Sequence, residues 1–77
     1  MTTTLGKLSE GDRGIVEGFF GGGGDYRRKL LAMGLTPKTT FRICRVAPLG
    51  DPIQIELRGF QLSIRRDEAA IIKVSSI

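Results

Sequence analysis

Two short runs of alternating apolar and polar residues, separated by a tight turn, constrain this sequence more than any other feature. Apolar side chains occupy every second position from Ile53 to Leu57 and again from Phe60 to Ile64. A period of two places the apolar side chains on one face of a β-strand and the polar ones on the other. Gly59 lies between the two runs, where the chain must turn sharply. The pattern predicts a β-hairpin with one buried face.

The rest of the chain divides into further short elements. Strands are predicted over Arg13–Phe20, Thr39–Ala47 and Ile71–Val74, with a helical turn at Arg66–Ala69 before the last strand. These elements predict an all-β fold with one short helix, a small five-stranded SH3-like barrel. An OB-like barrel is the second choice, because that fold usually needs a longer chain and places its helix later. The predicted core consists of Ile15, Phe41, Ile43, Ile53, Ile55, Leu57, Phe60, Leu62, Ile64, Ile72 and Val74.

Length and cysteine content limit the class of protein. The 77 residues predict a single domain over residues 1–77, with an ordered core at about residues 5–75 and a frayed N-terminus. Cys44 is the only cysteine, so an intramolecular disulfide is excluded and a reducing compartment is favoured. No stretch is long and apolar enough to span a bilayer, and Met1–Leu8 lacks the pattern of a signal peptide. We therefore expect a cytoplasmic protein.

The residues needed for common catalytic and metal chemistry are missing. The chain has no histidine, so neither a metal site built on Cys44 nor a nucleophile paired with histidine is expected. The run Gly21–Gly24 invites comparison with a phosphate-binding loop, but Asp25 and Tyr26 follow where that motif requires lysine and a hydroxyl. We interpret the run as a connector. The sequence predicts no enzyme, no cofactor and no metal site.

The net charge of +4 permits several kinds of partner. Twelve lysines and arginines stand against eight acidic residues, and the basic side chains are scattered rather than massed. A basic surface can attract nucleic acid, an anionic membrane or an acidic protein. Nucleic-acid binding favours exposed aromatics among basic residues, and here only Tyr26 lies beside a basic run, Arg27–Lys29. A nucleic-acid-binding module therefore stays an alternative, although we do not expect this chain to bind nucleic acid.

One helix carries the predicted docking surface. Asp25 stands at an N-cap position, Gly34 suits the left-handed position after the helix, and Pro37 prevents its continuation. A short helix on a small barrel buries one apolar stripe, but the apolar arc of this helix is wider than one stripe. We predict that an exposed part of it binds a protein partner. The alternative is that Leu30 and Leu31 both pack on the barrel. The predicted partner-binding residues are Tyr26, Arg27, Arg28, Leu30, Leu31 and Met33.

Two linked motifs resemble those of a known bacterial family. Residues 26–37, YRRKLLAMGLTP, resemble the R-x-x-L-L-x-x-G-[LM]-x-P signature of ferrous iron transport protein A, FeoA. Residues 47–53, APLGDPI, resemble its A-P-L-G-D-P-[IV] turn, and residues 8–12 resemble its opening segment. The resemblance covers roughly residues 5–74. One departure is Lys38, because family members commonly have glycine after the signature proline. A type II turn needs a positive φ there, so we expect a type I turn or a strained one.

The resemblance implies both a fold and a role. It implies an SH3-like barrel that assists the membrane transporter FeoB at its cytoplasmic, GTPase-bearing region. In that role the chain would reach the membrane only through its partner. The same fold resembles the C-terminal domain of metal-dependent repressors, so a repressor-type regulatory module is the alternative.

Overall fold

The helices and strands follow the predicted order, with one addition at the N-terminus. The computed structural model describes residues 2–21 and 24–77. Gly22 and Gly23, on which the interpretation of a connector depends, lie outside the described residues. The elements in chain order are β1 (Thr2–Thr4), a 3₁₀ turn (Leu5–Lys7), β2 (Arg13–Phe19), α1 (Gly24–Ala32), β3 (Thr40–Val46), β4 (Ile53–Leu57), β5 (Phe60–Ile64), α2 (Arg66–Ala69) and β6 (Ile72–Ser76).

The described strands form one antiparallel sheet in the order β1-β6-β2-β3-β4-β5. The expected number of five strands was wrong, because the N-terminal threonines, predicted to fray, form β1. Thr2 pairs with Ser75 and Thr4 with Lys73 on β6. Three β-branched residues are too few to show a period, yet they suit an extended strand once a neighbour offers its backbone. In the strand order β1 and β5 are the two edges, so the sheet is open.

Most of the predicted core is buried. The exceptions are Ile15 and Leu62, which are half-buried, and Phe60, which is 45% exposed at the start of edge strand β5. On β2 the buried face carries Val16 instead of Ile15. The predicted core residues that the structure buries are Phe41, Ile43, Ile53, Ile55, Leu57, Ile64, Ile72 and Val74.

The core also contains apolar side chains from outside the sheet. Leu5 in the 3₁₀ turn, Leu30 in α1, Leu35 after α1 and Ala69 in α2 are all fully buried. These residues cover the sheet, so α1 is part of the folded unit and not an appendage. Leu30 is the residue by which α1 itself enters the core.

The turn after α1 keeps the geometry that glycine would favour. The Thr39 N–H donates to the Thr36 carbonyl oxygen over 3.2 Å, and Lys38 has a φ of 73°. A positive φ at the third residue, after Pro37, is the type II arrangement. Of the two expected outcomes, a type I turn or a strained one, the structure has the strained one. Left-handed backbone costs a side-chain-bearing residue roughly 1–2 kcal/mol.

Lys38→Gly should therefore stabilise the fold. We expect the free energy of unfolding to rise by about 0.5–1 kcal/mol, since relief of strain exceeds the extra chain entropy of glycine in the unfolded state. Thermal unfolding followed by circular dichroism measures the change as a melting temperature a few degrees higher. Lys38→Ala is the control, because it removes the same charge but keeps the strain. An equal gain from alanine would show that charge, not backbone conformation, is responsible.

Candidate docking surface on helix α1

Helix α1 ends in a hydrogen-bonded motif that fixes its direction. The Leu35 N–H donates to the Leu30 carbonyl oxygen and the Gly34 N–H to that of Leu31, each over 3.1 Å. Gly34 has a φ of 104°, as a Schellman end requires. The buried side chains of Leu30 and Leu35 supply the apolar contact of this motif. At its other end α1 begins at Gly24, so Asp25 lies in the first turn and not at the predicted N-cap.

The structure separates the two leucines of α1. Leu30 is fully buried in the core, so its prediction as an exposed anchor is wrong. Leu31 is only half-buried, and Tyr26 is 43% exposed. Met33 is partly buried and packs against the core. The apolar arc of α1 therefore divides into a buried stripe at Leu30 and an accessible remainder.

Basic side chains surround this accessible remainder. The Arg27 guanidinium lies over the Phe19 ring, with Cζ 6.0 Å from the ring centroid, and both Arg27 and Arg28 are exposed. A cation over an aromatic ring at this distance is attracted to it, so Arg27 is held against β2. We call Tyr26, Arg27, Arg28 and Leu31 the α1 face. It combines two accessible apolar side chains with two exposed basic ones.

An ion pair joins α1 to α2 beside this face. Lys29 Nζ lies 2.7 Å from Glu68 Oε2, and the Glu68 side chain is 3% exposed whereas that of Lys29 is 56% exposed. The Arg65 backbone N–H donates to Glu68 Oε1 over 3.0 Å. Both carboxylate oxygens therefore have a donor, which buried charge requires. The pair holds the middle of α1 against the second helix.

The pKa of Glu68 reflects two opposing effects. Burial of the carboxyl acts to raise its pKa, because desolvation disfavours the charged form. The hydrogen bonds from Lys29 and the Arg65 backbone, with the positive charges of both residues, act in the opposite direction. Together they outweigh burial and hold the pKa of Glu68 below its usual value. Glu68 is therefore a charged, structural partner of Lys29 at neutral pH.

The α1 face lies apart from the two grooves found among the described residues. No α1 residue lines the groove of about 450 Å³ beside β2, β3 and β4 or the groove of about 230 Å³ near Pro52. A partner bound to the α1 face would therefore occupy neither groove. Phe20, the residue after β2, is 44% exposed, and Lys73 Nζ lies 5.7 Å from its ring centroid. It is a second aromatic side chain beside a cation. This residue is not among the predicted partner-binding residues, because the sequence places Phe20 inside the predicted strand Arg13–Phe20.

The described residues offer little for other chemistry. In residues 2–21 and 24–77, no three histidine, cysteine or acidic side chains come close enough together to hold a metal ion. Cys44 is a half-buried free thiol on β3. Over the same residues, no helix has the length and apolar character needed to cross a membrane.

Comparison with known proteins identifies the family. Residues 3–76 match the model of the protein family described as "FeoA domain". The chain belongs to the FeoA domain family. The resemblance seen in residues 26–37 and 47–53 is thus confirmed. FeoA domains are small domains that take part in ferrous iron transport and are not a known enzyme family.

Individual relatives agree with this assignment. A crystal structure of the iron uptake regulatory protein FeoA is 35% identical, with a TM-score of 0.88 and all of both chains covered. The zinc complex of FeoA from Stenotrophomonas maltophilia, described as a prokaryotic SH3 domain protein, is 21% identical, with a TM-score of 0.81, and the match covers 95% of this chain and 89% of that one. The fold is therefore SH3-like, and the described residues form six strands and not the predicted five.

A curated relative joins this domain to a transporter. A Porphyromonas gingivalis protein, named as a fusion of Fe(2+) transport protein A with the Fe(2+) transporter FeoB, is 33% identical over 73 residues. The match covers 95% of this chain but only 8% of the fusion protein. FeoA and FeoB are thus parts of one polypeptide in that relative.

Proposed function

We propose that this chain is a cytoplasmic accessory protein of bacterial ferrous iron uptake, which regulates the transporter FeoB by binding its cytoplasmic, GTPase-bearing region. The observation that carries the proposal is the Porphyromonas gingivalis fusion of an FeoA part with FeoB. Its role would be one of binding and not of catalysis.

The fusion supports a physical association for a thermodynamic reason. A covalent link gives two domains a high effective concentration, which lets even weak contacts persist. Where the two parts are separate chains, the contact must supply all the affinity itself. A surface with an apolar centre and charged edges meets this need, because a few central anchors carry most binding energy while edge charges speed the encounter.

The α1 face is the proposed contact surface, with partly buried Met33 beside it. Tyr26 and Leu31 would supply the apolar contacts, and Arg27 and Arg28 the charged ones. Leu30 is excluded as a direct anchor by its burial, although it positions the helix. Because the face lies outside both grooves, the transporter domain bound to it would occupy neither of them.

Leu31→Arg should weaken binding to the purified cytoplasmic region of FeoB. We expect a loss of about 2 kcal/mol, roughly 30-fold in Kd, because the new charge would be buried without a partner. Arg28→Ala should cost less and act mainly on the association rate, with an effect that shrinks in salt. Titration calorimetry and stopped-flow mixing measure these two quantities.

Two controls make this experiment decisive. Leu49→Arg is the matched control, since Leu49 is a leucine exposed to 88% on the loop between β3 and β4. It should leave Kd unchanged. Equal losses from Leu31→Arg and Leu49→Arg would contradict docking by the α1 face, and an absence of binding by the wild-type chain would contradict the proposed function itself.

A further inference from the structure

A second charged surface lies apart from α1. It is the open groove of about 450 Å³, bounded by the start of β2, by β3 and by the turn between β4 and β5. Arg13, Arg42 and Arg58 line it, one from each of these elements, and Glu56 is the single acidic residue among those that line it. We call it the arginine groove. It shares no residue with the α1 face.

Strand register brings like charges together in this groove. Arg13 stands directly opposite Arg42 in the pairing of β2 with β3, and Arg42 stands opposite Glu56 in the pairing of β3 with β4. Like charges at directly opposed positions destabilise an antiparallel pair. Arg42 Nη2 lies 3.4 Å from Glu56 Oε1, but the ion pairs found among the described residues include none for Arg13. Glu56, the acidic residue of the lining, therefore pairs with Arg42 and not with Arg13.

The third arginine sits on strained backbone. Arg58 has a φ of 51° and Gly59 a φ of 83°, the two positive values of a type I′ turn. Asparagine or glycine is favoured at such a position, and arginine is held there at a cost. Arg58 Nη2 donates to Thr39 Oγ1 over 3.2 Å and to Thr36 Oγ1 over 3.3 Å. These bonds occupy one nitrogen and orient the guanidinium, which has further N–H donors.

Two locally unfavourable features, a pair of opposed arginines and an arginine with a positive φ, thus lie in one groove. An opposed pair of arginines and an arginine on left-handed backbone each reduce stability, and such violations concentrate at functional sites. An anion placed between Arg13 and Arg42 would attract both guanidinium groups and offset the repulsion between them. The planar guanidinium matches a carboxylate with two parallel hydrogen bonds.

We propose that the arginine groove binds an acidic peptide segment of a protein partner, with one carboxylate bridging Arg13 and Arg42 and a second reaching Arg58. This site goes beyond the proposed binding of FeoB by the α1 face and does not depend on it. Spaced carboxylates fit better than a continuous row of phosphates, because two separate charges can lie on either side of Glu56, whereas a row of phosphates would place a negative charge beside it. Nucleic acid also finds no stacking platform there, since the Phe41 ring is 3% exposed.

The test uses the full chain and defined probes. A short peptide with two glutamates at alternate positions is titrated into nitrogen-15-labelled protein at about 0.15 M salt, where distant charges are screened. The side-chain Nε–H signals of Arg13, Arg42 and Arg58 should shift together. Arg13→Gln and Arg42→Gln should each raise Kd about tenfold through loss of a charge-assisted contact. Arg66→Gln, with the same change of charge on α2, should not.

A stability measurement separates binding from a structural role. Arg13→Gln removes the like-charge contact, so its melting temperature should equal or exceed that of the wild type. A lower melting temperature would mean that Arg13 is structural and would overturn the proposal. If Arg66→Gln weakened peptide binding equally, or if a matched glutamine peptide bound equally well, the groove would not recognise carboxylates specifically and the proposal would be refuted. Tighter binding of tripolyphosphate or of a short DNA strand in the same groove would replace a peptide by a phosphate ligand and also refute it.

Discussion

Leu30→Arg should prevent folding at 25 °C, whereas Leu31→Arg should leave a folded chain. Leu30 is fully buried and packs in the same core as Leu35 and the sheet, so arginine would place an unpaired charge in an apolar interior. A domain of this size is stable by only about 4–11 kcal/mol, which such a charge can exceed. Leu31 is half-buried on the adjacent position of the helix, where a long side chain can reach solvent.

A milder substitution keeps this comparison measurable. Leu30→Ala should lower the free energy of unfolding by about 3 kcal/mol through lost burial and a residual cavity, or roughly 12–24 °C in melting temperature. Leu31→Ala is the matched control and should lose about 1 kcal/mol or less. Urea titration and thermal melts give both values. Similar losses at the two positions would mean that both leucines are core residues and that the α1 face lacks its proposed anchor.

The hairpin and the helix end could be predicted from sequence because their signals are local. Alternation over Ile53–Ile64 depends only on a strand having two faces, and β4 and β5 pair as that pattern requires. Gly34 and Pro37 mark the end of a helix through the conformations that each residue permits. Apart from Arg58 in the hairpin turn, the residues of these segments prefer the conformations that the fold gives them.

Other features depend on contacts that no local pattern encodes. Leu30 and Leu31 lie about 100° apart on the helix, and both belong to the predicted apolar arc. Only the position of the sheet decides which of them is buried. Phe60 satisfies the strand period but lies on an edge strand beside a turn, where it stays partly exposed. Pairing of Thr2–Thr4 with β6 likewise depends on a partner at the other end of the chain.

The same limit applies to the charges around the candidate site. Lys29 was predicted only as part of a basic run, and Glu68 only as part of a helical turn. Their contact spans 39 positions in the sequence and arises because α1 and α2 cover neighbouring parts of the core. The opposed arginines of the groove also emerge only from strand register. Charge patterning along the chain therefore could not show which basic side chains are already paired.

Lys29→Met should destabilise the fold more at pH 7 than in mild acid. Methionine keeps much of the apolar stem of lysine but leaves the Glu68 carboxylate buried with only the Arg65 backbone N–H as a donor. We expect a loss of about 3 kcal/mol at neutral pH, at the low end for breaking a buried pair because the Lys29 side is solvent-exposed. Urea unfolding of the variant and the wild type across pH 4–7 measures this difference.

The sign of the pH dependence follows from the pKa of Glu68. In the wild type this pKa is lower in the folded than in the unfolded chain, so the charged pair stabilises the fold above the unfolded value. That stability is lost as the pH falls through the folded pKa. Removing Lys29 takes away a hydrogen bond and a positive charge that lower the pKa of Glu68, so this pKa should be higher in the variant, which should regain stability relative to the wild type as the pH falls. Adding Glu68→Gln should restore most of the loss and remove the pH dependence of the difference. A Lys29→Met loss that is equal at every pH would assign the effect to packing of the lysine stem and not to the ion pair.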